Sequence, residues 1–156
     1  MKRYLLLLSL FVIGFSSCSK TDSTPTVDPV KQAAADDAAI QAYITANSIT
    51  AIKDPSGLYY QVITPGTGAY PTVNSAISVN YTGKLLNGSV FGSGSLNNYS
   101  LSGLIPGWQI GIPHINTGGR ILLLVPSALG YGDVANGNIP PNSVLIFTID
   151  LTGFNN

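Results

Sequence analysis

The sequence contains no glutamate and, among its 156 residues, only one histidine and one cysteine. A tetrahedral metal site needs several His or Cys ligands, and a cysteine nucleophile needs a histidine beside it, so this chain alone can assemble neither. Phosphate-binding glycine loops, the dinucleotide fingerprint and the serine elbow of hydrolases are also missing from the sequence. We interpret His114 as a loop residue rather than a catalytic base. The chain is therefore expected to work without a metal or a cofactor.

Charge is scarce and balanced, with seven basic and seven acidic residues and a formal net charge of zero at pH 7. Because the sequence has neither a basic patch nor an acidic tail, we expect no nucleic-acid partner. Seventeen Gly and ten Pro beside eight Tyr suggest many turns between strands and argue against a helical bundle. A hydrophobic content of 45% is enough for one domain with a core after an N-terminal tail is set aside.

One long apolar run lies at the N-terminus. Lys2 and Arg3 precede YLLLLSLFVIGF, which has the length of a signal-peptide core and is short for a bilayer span. The following FSSCSK resembles the lipobox of bacterial lipoproteins, although Phe15 stands where many of them have Leu. Cys18 is either an unpaired thiol in a cleaved peptide or a lipidated first residue, and because a single cysteine cannot form an internal disulfide we favour lipidation. We predict that residues 1–17 are the signal peptide of an exported protein, lipid-anchored to a bacterial membrane and facing the periplasm or the cell surface.

The next segments are predicted to be a tether and a helix. Residues 18–28 are rich in Ser, Thr, Asp and Pro without periodicity, which is typical of a flexible linker, here lipidated at its start. A helix is predicted over residues 29–50, with Asp28 as its cap and Pro29 in its first turn. Four apolar residues have spacings that share one helical face: Ala33, Ile40, Tyr43 and Ile44. This helix either packs beside the main domain or binds a partner.

The rest of the chain has the pattern of a sheet with one helix. Runs typical of strands, most of them alternating between apolar and polar residues, occur at 58–63, 77–85, 121–125 and 145–151. After a turn at Asn87-Gly88, the Gly/Ser-rich stretch GSGS separates Val90 and Phe91 from NYSL. A short helix is predicted to begin at Pro106, to carry the only tryptophan, Trp108, and to end near Pro113. We expect a sheet wrapped over this single short helix.

Six motifs then carry a resemblance. They are YTG at 81–83, IPGW at 105–108, GG at 118–119, LGYG at 129–132, IPPN at 139–142 and LIFTIDL at 145–151. Their order and spacing resemble those of the FK506-binding-protein (FKBP) type peptidyl-prolyl cis-trans isomerases, over about residues 58–154. The resemblance implies an isomerase domain at 54–156 and an α+β fold, in which a twisted antiparallel sheet of five or six strands curls over one short helix.

The resemblance also implies a substrate pocket. Trp108 would form its floor, while the Ile105 backbone N–H and the Tyr131 hydroxyl would donate to substrate carbonyls, which makes these three the implied catalytic residues. Taken alone, the aromatic residues on strands would be interpreted as core. Tyr131 and Ile139 instead lie in a Gly/Pro/Asn-rich loop, where core residues are less expected. The implied pocket positions are Tyr81, Phe91, Leu104, Ile105, Trp108, Tyr131, Ile139 and Phe147.

One implied pocket position departs from the family pattern. Gly92 follows Phe91, where family members usually carry an Asp that accepts a hydrogen bond from the tyrosine corresponding to Tyr81. Two interpretations therefore stay open: a peptidyl-prolyl isomerase that assists the folding of exported proteins, and a catalytically weak peptide-binding module or holdase chaperone. An unrelated all-β adhesin would not contain IPGW, LGYG and IPPN together.

The expected partners also come from the resemblance. They are proline-containing polypeptides, and the resemblance allows macrolide ligands such as FK506 as well. We expect contact with the membrane through the lipid anchor, and a monomer that uses no metal or cofactor.

Overall fold

The computed structural model of the protein describes residues 28–156. The predicted signal peptide, the lipidation site Cys18 and the tether before Asp28 lie outside these residues. The helices are α1 (Pro29–Ala46) and α2 (Pro106–Gly111), and the strands are β1 (Ile52–Lys53), β2 (Tyr59–Thr64), β3 (Ala76–Leu85), β4 (Val90–Ser100), β5 (Arg120–Val125) and β6 (Leu145–Asn155). Neither helix of residues 28–156 combines the length and the hydrophobicity of a membrane span.

The six strands form one antiparallel sheet in the order β1-β2-β5-β6-β3-β4. This confirms the predicted α+β fold with a sheet of five or six strands. β6 lies inside the sheet between β5 and β3, and it places Leu145, Phe147, Ile149 and Leu151 in the main core as the alternation predicts. Trp108 from α2 lies in the same core, so α2 covers this inner face of the sheet.

The outer face of the sheet is covered as well, by α1. A second cluster joins Ile40 of α1 to Tyr59, Leu124 and Val144, and Tyr59 and Leu124 lie on the opposite side of their strands from the main core. Ile146 alternates with the inner-face residues of β6 and is therefore expected on the polar face beside Thr148 and Asp150, yet it is only 4% exposed. Strands that are buried on both faces lose their alternation, which explains the apolar sequences LLLV and LIF.

Helix α1 begins where the sequence predicts and ends earlier. The carboxylate of Asp28 accepts a hydrogen bond from the backbone N–H of Val30 at 3.0 Å, and Pro29 occupies the first turn. The helix ends at Ala46 rather than at residue 50. Of the four residues predicted to share its apolar face, Ile40 is buried and Tyr43 and Ile44 are half-buried, whereas Ala33 is exposed. Ala33 borders an open groove beside the helix, and for this reason it is not covered.

Two strand features differ from the sequence prediction. β1 was not predicted, because a strand of two residues has no alternation to detect. β4 runs without interruption through GSGS, a composition of low strand propensity. Its pairing with β3 joins backbone groups along almost the whole of both strands, so β4 forms with few apolar side chains of its own. These differences lengthen the sheet without changing its topology.

Candidate functional site

Helix α2 lies unusually close to β5 because two of its residues are glycines one turn apart. A Cβ atom at Gly107 would lie 2.6 Å from Cγ1 of Val125, and one at Gly111 would lie 2.5 Å from Cδ2 of Leu123. Any larger residue would push the helix away from the sheet. The spacing of these glycines on one helical face is a signal in the sequence that points to this close packing. The close approach holds Trp108 against the inner face of the sheet.

Trp108 is the centre of a chain of four aromatic rings. Its ring centroid lies 5.3 Å from that of Tyr81 and 5.3 Å from that of Phe147, with interplanar angles of 76° and 89°. Phe147 in turn meets Phe91 at 5.5 Å and 84°. Edge-to-face pairs of this kind contribute about 0.5–1.5 kcal/mol each beyond their buried area. The four rings therefore form a stiff, apolar surface.

The position of Phe91 depends on the glycine of the YTG motif. A Cβ atom at Gly83 would lie 2.5 Å from two atoms of the Phe91 ring and 3.0 Å from the Phe147 ring. Gly83 is paired with Gly92 on β4 and with Phe147 on β6. Because no side chain projects from Gly83, the Phe91 ring can lie across β3 and meet Phe147.

These rings line a cleft of about 480 Å³. The structure brings all nine of the predicted substrate-binding residues to it: Tyr81, Phe91, Gly92, Leu104, Ile105, Trp108, Tyr131, Ile139 and Phe147. Five further lining residues are not among those predicted: Leu96, Tyr99, Asn136, Gly137 and Asn138. Asn136–Asn138 come from a loop without periodicity, so no pattern in the sequence marks them. No residue of the lining is Asp, Glu, Lys, Arg or His.

Two hydrogen-bond donors at the cleft have no acceptor among residues 28–156. The backbone N–H of Ile105 precedes α2, where the first N–H groups of a helix have no partner inside it. The Tyr131 hydroxyl belongs to a side chain that is 37% exposed, and no described group bonds to it. Both donors are available to carbonyl groups of a bound molecule.

Two further polar groups at the cleft lack partners in the same part of the chain. The indole N–H of Trp108 is buried without an acceptor. The hydroxyl of the half-buried Tyr81 also makes no hydrogen bond to a described residue. At Gly92 an added Cβ atom would meet nothing within 4 Å, and the backbone φ is not positive. The space that a family aspartate would occupy is therefore open.

Charged groups with shifted pKa values lie outside the cleft. The hydrogen bond from Lys53 lowers the pKa of Asp37, and the hydrogen bond from Arg120 lowers that of Asp150. His114 lies in a 3₁₀ helix, Ile112–His114, rather than in a loop, and its ring stacks on Tyr60 at 4.1 Å. Among the described residues, no three His, Cys, Asp or Glu side chains lie close enough together to hold a metal ion. The cleft itself offers shape, apolar surface and neutral donors.

Comparisons with known proteins agree with this geometry. A family model described as FKBP-type peptidyl-prolyl cis-trans isomerase matches residues 68–152. The FKBP-type peptidyl-prolyl cis-trans isomerase FkpA of Escherichia coli strain K12 is 40% identical over 100 residues, which are 62% of this chain and 37% of that protein. The chain thus matches little more than a third of that relative's length.

Two solved structures share the fold. The crystal structure of FkpA from Escherichia coli has a TM-score of 0.69 at 34% identity, and the match covers 80% of this chain and 62% of that one. A peptidyl-prolyl cis-trans isomerase from Pseudomonas syringae has a TM-score of 0.68 at 26% identity, and the match covers 84% of this chain and 99% of that one. Since the family model matches more than half of the sequence, this chain belongs to the FKBP-type peptidyl-prolyl cis-trans isomerase family.

Proposed function

We propose that the chain is a peptidyl-prolyl cis-trans isomerase that binds a proline ring in the aromatic cleft. The observation that carries this proposal is an apolar cleft with an aromatic floor, Trp108, and two unpaired donors at its edge. Rotation about an X-Pro bond needs no proton transfer and no nucleophile. A cleft without acids or bases is therefore suited to this reaction.

The chemistry follows from the electronic structure of the amide. Rotation must break amide resonance, at a barrier of about 18–20 kcal/mol, so unaided isomerisation takes tens to hundreds of seconds. The planar amide is more charge-separated than the twisted one, and an apolar cleft that excludes water disfavours the planar form relative to the twisted form. A catalyst needs only to bind the twisted state more tightly than the planar states.

The two donors fix the substrate around the rotating bond. The Ile105 N–H and the Tyr131 hydroxyl donate to carbonyl oxygens of the peptide and hold it in a turn-like pose. Trp108 lies under the proline ring, and Tyr81, Phe91 and Phe147 enclose its sides. The same surface suits macrolide ligands such as FK506, which we propose as a second ligand class.

A protease-free isomerisation assay with Tyr131→Phe tests the proposal. This change keeps the ring and removes one donor, so we expect a folded protein with lower turnover and lower affinity for macrolide ligands. Tyr70→Phe is the matched control, since Tyr70 is 55% exposed and lies outside the cleft lining. Equal activity of Tyr131→Phe and wild type would show that this hydroxyl is not the carbonyl donor.

Gly92 favours a second candidate function, a peptide-binding module or holdase with weak catalysis. With no aspartate at this position, the Tyr81 hydroxyl has no acceptor in the described part of the chain. This hydroxyl is not fully buried, so a water or the substrate can pair with it in place of the aspartate. Binding of a proline peptide without measurable turnover would select this second function.

We also propose that the protein is exported and lipid-anchored, and that it acts on exported polypeptides. Support comes from Lys2 and Arg3, the apolar run that follows and the FSSC sequence at Cys18. Stable anchoring needs more than one acyl chain, because a single chain binds a bilayer only marginally. Cys18→Ala should move the protein from the membrane fraction to the soluble fraction, with Ser17→Ala as the control. An unchanged distribution would contradict the anchor.

A further inference from the structure

A carboxylate of the N-terminal helix is buried against the loop that leads to the cleft. Asp36 is 3% exposed, and its Oδ2 accepts hydrogen bonds from the backbone N–H of Ser127 at 2.8 Å and from the Ser127 hydroxyl at 2.7 Å. Its Oδ1 accepts from the side-chain amide of Gln32 at 2.7 Å. Buried carboxylates are costly unless their oxygens are hydrogen-bonded, so this arrangement is fixed rather than incidental.

Ser127 holds the loop that carries Tyr131, which we call the Tyr131 loop, by backbone hydrogen bonds. Its carbonyl oxygen accepts hydrogen bonds from the N–H groups of Gly130 at 2.9 Å and Gly132 at 2.8 Å. The N–H of Asn142 then donates to the carbonyl oxygen of Gly132 at 2.7 Å. Tyr131 lies between these two glycines. A shift of Ser127 is therefore transmitted through two hydrogen bonds to both neighbours of Tyr131.

The loop has little other support near Tyr131. Gly130 and Gly132 have wide backbone freedom, and Gly132 adopts a φ of +63°. Leu129 packs against the main core, but beyond it Tyr131 is 37% exposed and Val134 is 65% exposed, so side-chain packing holds the segment after Leu129 only weakly. Because few apolar contacts fix it, the Tyr131 hydroxyl depends on the backbone bonds that begin at Ser127.

We propose that Asp36 is a positioning residue for Tyr131, through which α1 fixes the loop at the edge of the cleft. This inference rests on the proposed function, in which the Tyr131 hydroxyl donates to a substrate carbonyl. Asp36 and α1 lie on the outer side of the sheet and do not line the cleft. The helix thereby affects the substrate without touching it.

The neighbouring Asp37 provides a matched control. It accepts hydrogen bonds from Lys53, from the Tyr59 hydroxyl at 2.8 Å and from the Gln41 amide at 2.7 Å. Both carboxylates hold α1 on the domain, but Asp37 holds it to β1 and β2, far along the chain from the Tyr131 loop. If Asp36 only held α1 on the domain, replacing it would have the same effect on the Tyr131 loop as replacing Asp37.

The first measurement is amide hydrogen exchange in the full-length chain. Asp36→Ala should accelerate exchange of the Ser127, Gly130 and Gly132 amides, whereas Asp37→Ala should leave them unchanged. Asp36→Asn should restore most of the protection, since a carboxamide oxygen can still accept from Ser127. If Asp36→Ala fails to fold, Ser127→Ala is used instead, because it removes the hydroxyl donor and keeps the N–H. The proposal would be overturned if these amides exchanged equally fast in Asp36→Ala and in Asp37→Ala. The same comparison applies to Ser127→Ala where it replaces Asp36→Ala.

The second measurement is kcat/KM in a double-mutant cycle. Asp36→Ala is expected to lower kcat/KM by about three- to tenfold, which corresponds to losing one positioning interaction. In a Tyr131→Phe background the same change should have little further effect, because the group that it positions is gone. Full additivity would overturn the proposal. If the wild type has no turnover, the proposed function fails, while the exchange comparison still decides whether Asp36 fixes the loop.

Discussion

The two faces of the sheet are covered by helices that differ in length and in how they are held. On the inner face, α2 has six residues and is held by close contact, with Gly107 and Gly111 against β5. On the outer face, α1 has 18 residues and is held by a small apolar cluster around Ile40 and by the carboxylates of Asp36 and Asp37. At the cleft on the inner face, several polar groups have no hydrogen-bond partner among residues 28–156. The carboxylates of Asp36 and Asp37 on the outer face, in contrast, accept hydrogen bonds.

The two faces of the sheet therefore have different roles. The inner face provides the surface on which we propose that a proline ring binds, so its polar groups are left free for a ligand. The outer face makes no direct contact with the cleft, and its hydrogen bonds serve to fix α1 and the Tyr131 loop. Changes on the inner face should therefore alter both stability and binding, whereas changes on the outer face should alter stability more than binding.

The largest expected effect comes from removing the floor of the cleft. Trp108→Ala should lower the free energy of unfolding by about 3–5 kcal/mol, because a large buried ring leaves a cavity, and it should abolish proline binding. Ile40→Ala is the comparison on the outer face. We expect about 2 kcal/mol there, near the low end for buried isoleucine, since α1 can shift to close the gap. Denaturant unfolding and peptide titration measure both quantities.

The proposed difference in role between the two faces would be wrong if Ile40→Ala weakened proline binding as much as Trp108→Ala does. It would also fail if Trp108→Ala kept full binding, since Trp108 would then be a core residue without a role in the cleft. Trp108→Phe sharpens the test, because it keeps an aromatic floor and removes the buried indole N–H that has no acceptor in the described chain. It should retain more binding than Trp108→Ala.

The inner face was also the more predictable one. Pro106 predicted the start of α2, and Trp108 predicted that this helix carries a large ring. The alternation in β6 predicted which side chains of that strand are buried. The nine cleft residues came from motif resemblance, not from alternation, because period two places a residue on a face without saying which residues meet. Leu96 was missed for this reason, and Asn136–Asn138 were missed because their loop has no periodicity.

The outer face was predicted less well because its interactions are polar and distant in sequence. A rule that sorts residues by hydrophobicity places Asp36 in solvent, whereas it is buried against Ser127. The 91-residue separation of this pair leaves no local pattern. The sequence did predict the helix and its Asp28 cap, since capping is a local interaction. Which side chains hold the helix depends on the tertiary structure.

The next effect concerns the open space at Gly92. Gly92→Asp should raise kcat/KM by up to about tenfold, since the new carboxylate can accept from the Tyr81 hydroxyl and about 1.4 kcal/mol corresponds to a factor of ten. The substitution is sterically allowed, because nothing lies within 4 Å of the added Cβ and the φ is not positive. The protease-free assay measures the change.

Ser93→Asp is the matched control for Gly92→Asp. Ser93 is exposed, and as the next residue on β4 it points to the opposite side of the strand from Gly92. It adds the same charge outside the cleft, and kcat/KM should stay at the wild-type value. A drop in activity in folded Gly92→Asp, or an equal gain in Ser93→Asp, would remove the role assigned to position 92.

The smallest effect is the response to acid, and it should appear on the outer face alone. Hydrogen bonds from Lys53 and Arg120 lower the pKa values of Asp37 and Asp150 below the unfolded value of about 3.9. A lowered folded pKa stabilises the protein above the unfolded pKa, and this stabilisation is lost as the pH falls through the folded pKa. The melting temperature should therefore fall slightly below about pH 4, as for any exposed ion pair. Asp37→Asn and Asp150→Asn should each reduce that fall.

On the inner face no charged residue lines the cleft, so kcat/KM should stay constant from about pH 5 to 9. A titration of kcat/KM with a midpoint inside that range would mean that an ionisable group outside the lining acts on the cleft, and the separation of the two faces would then be wrong.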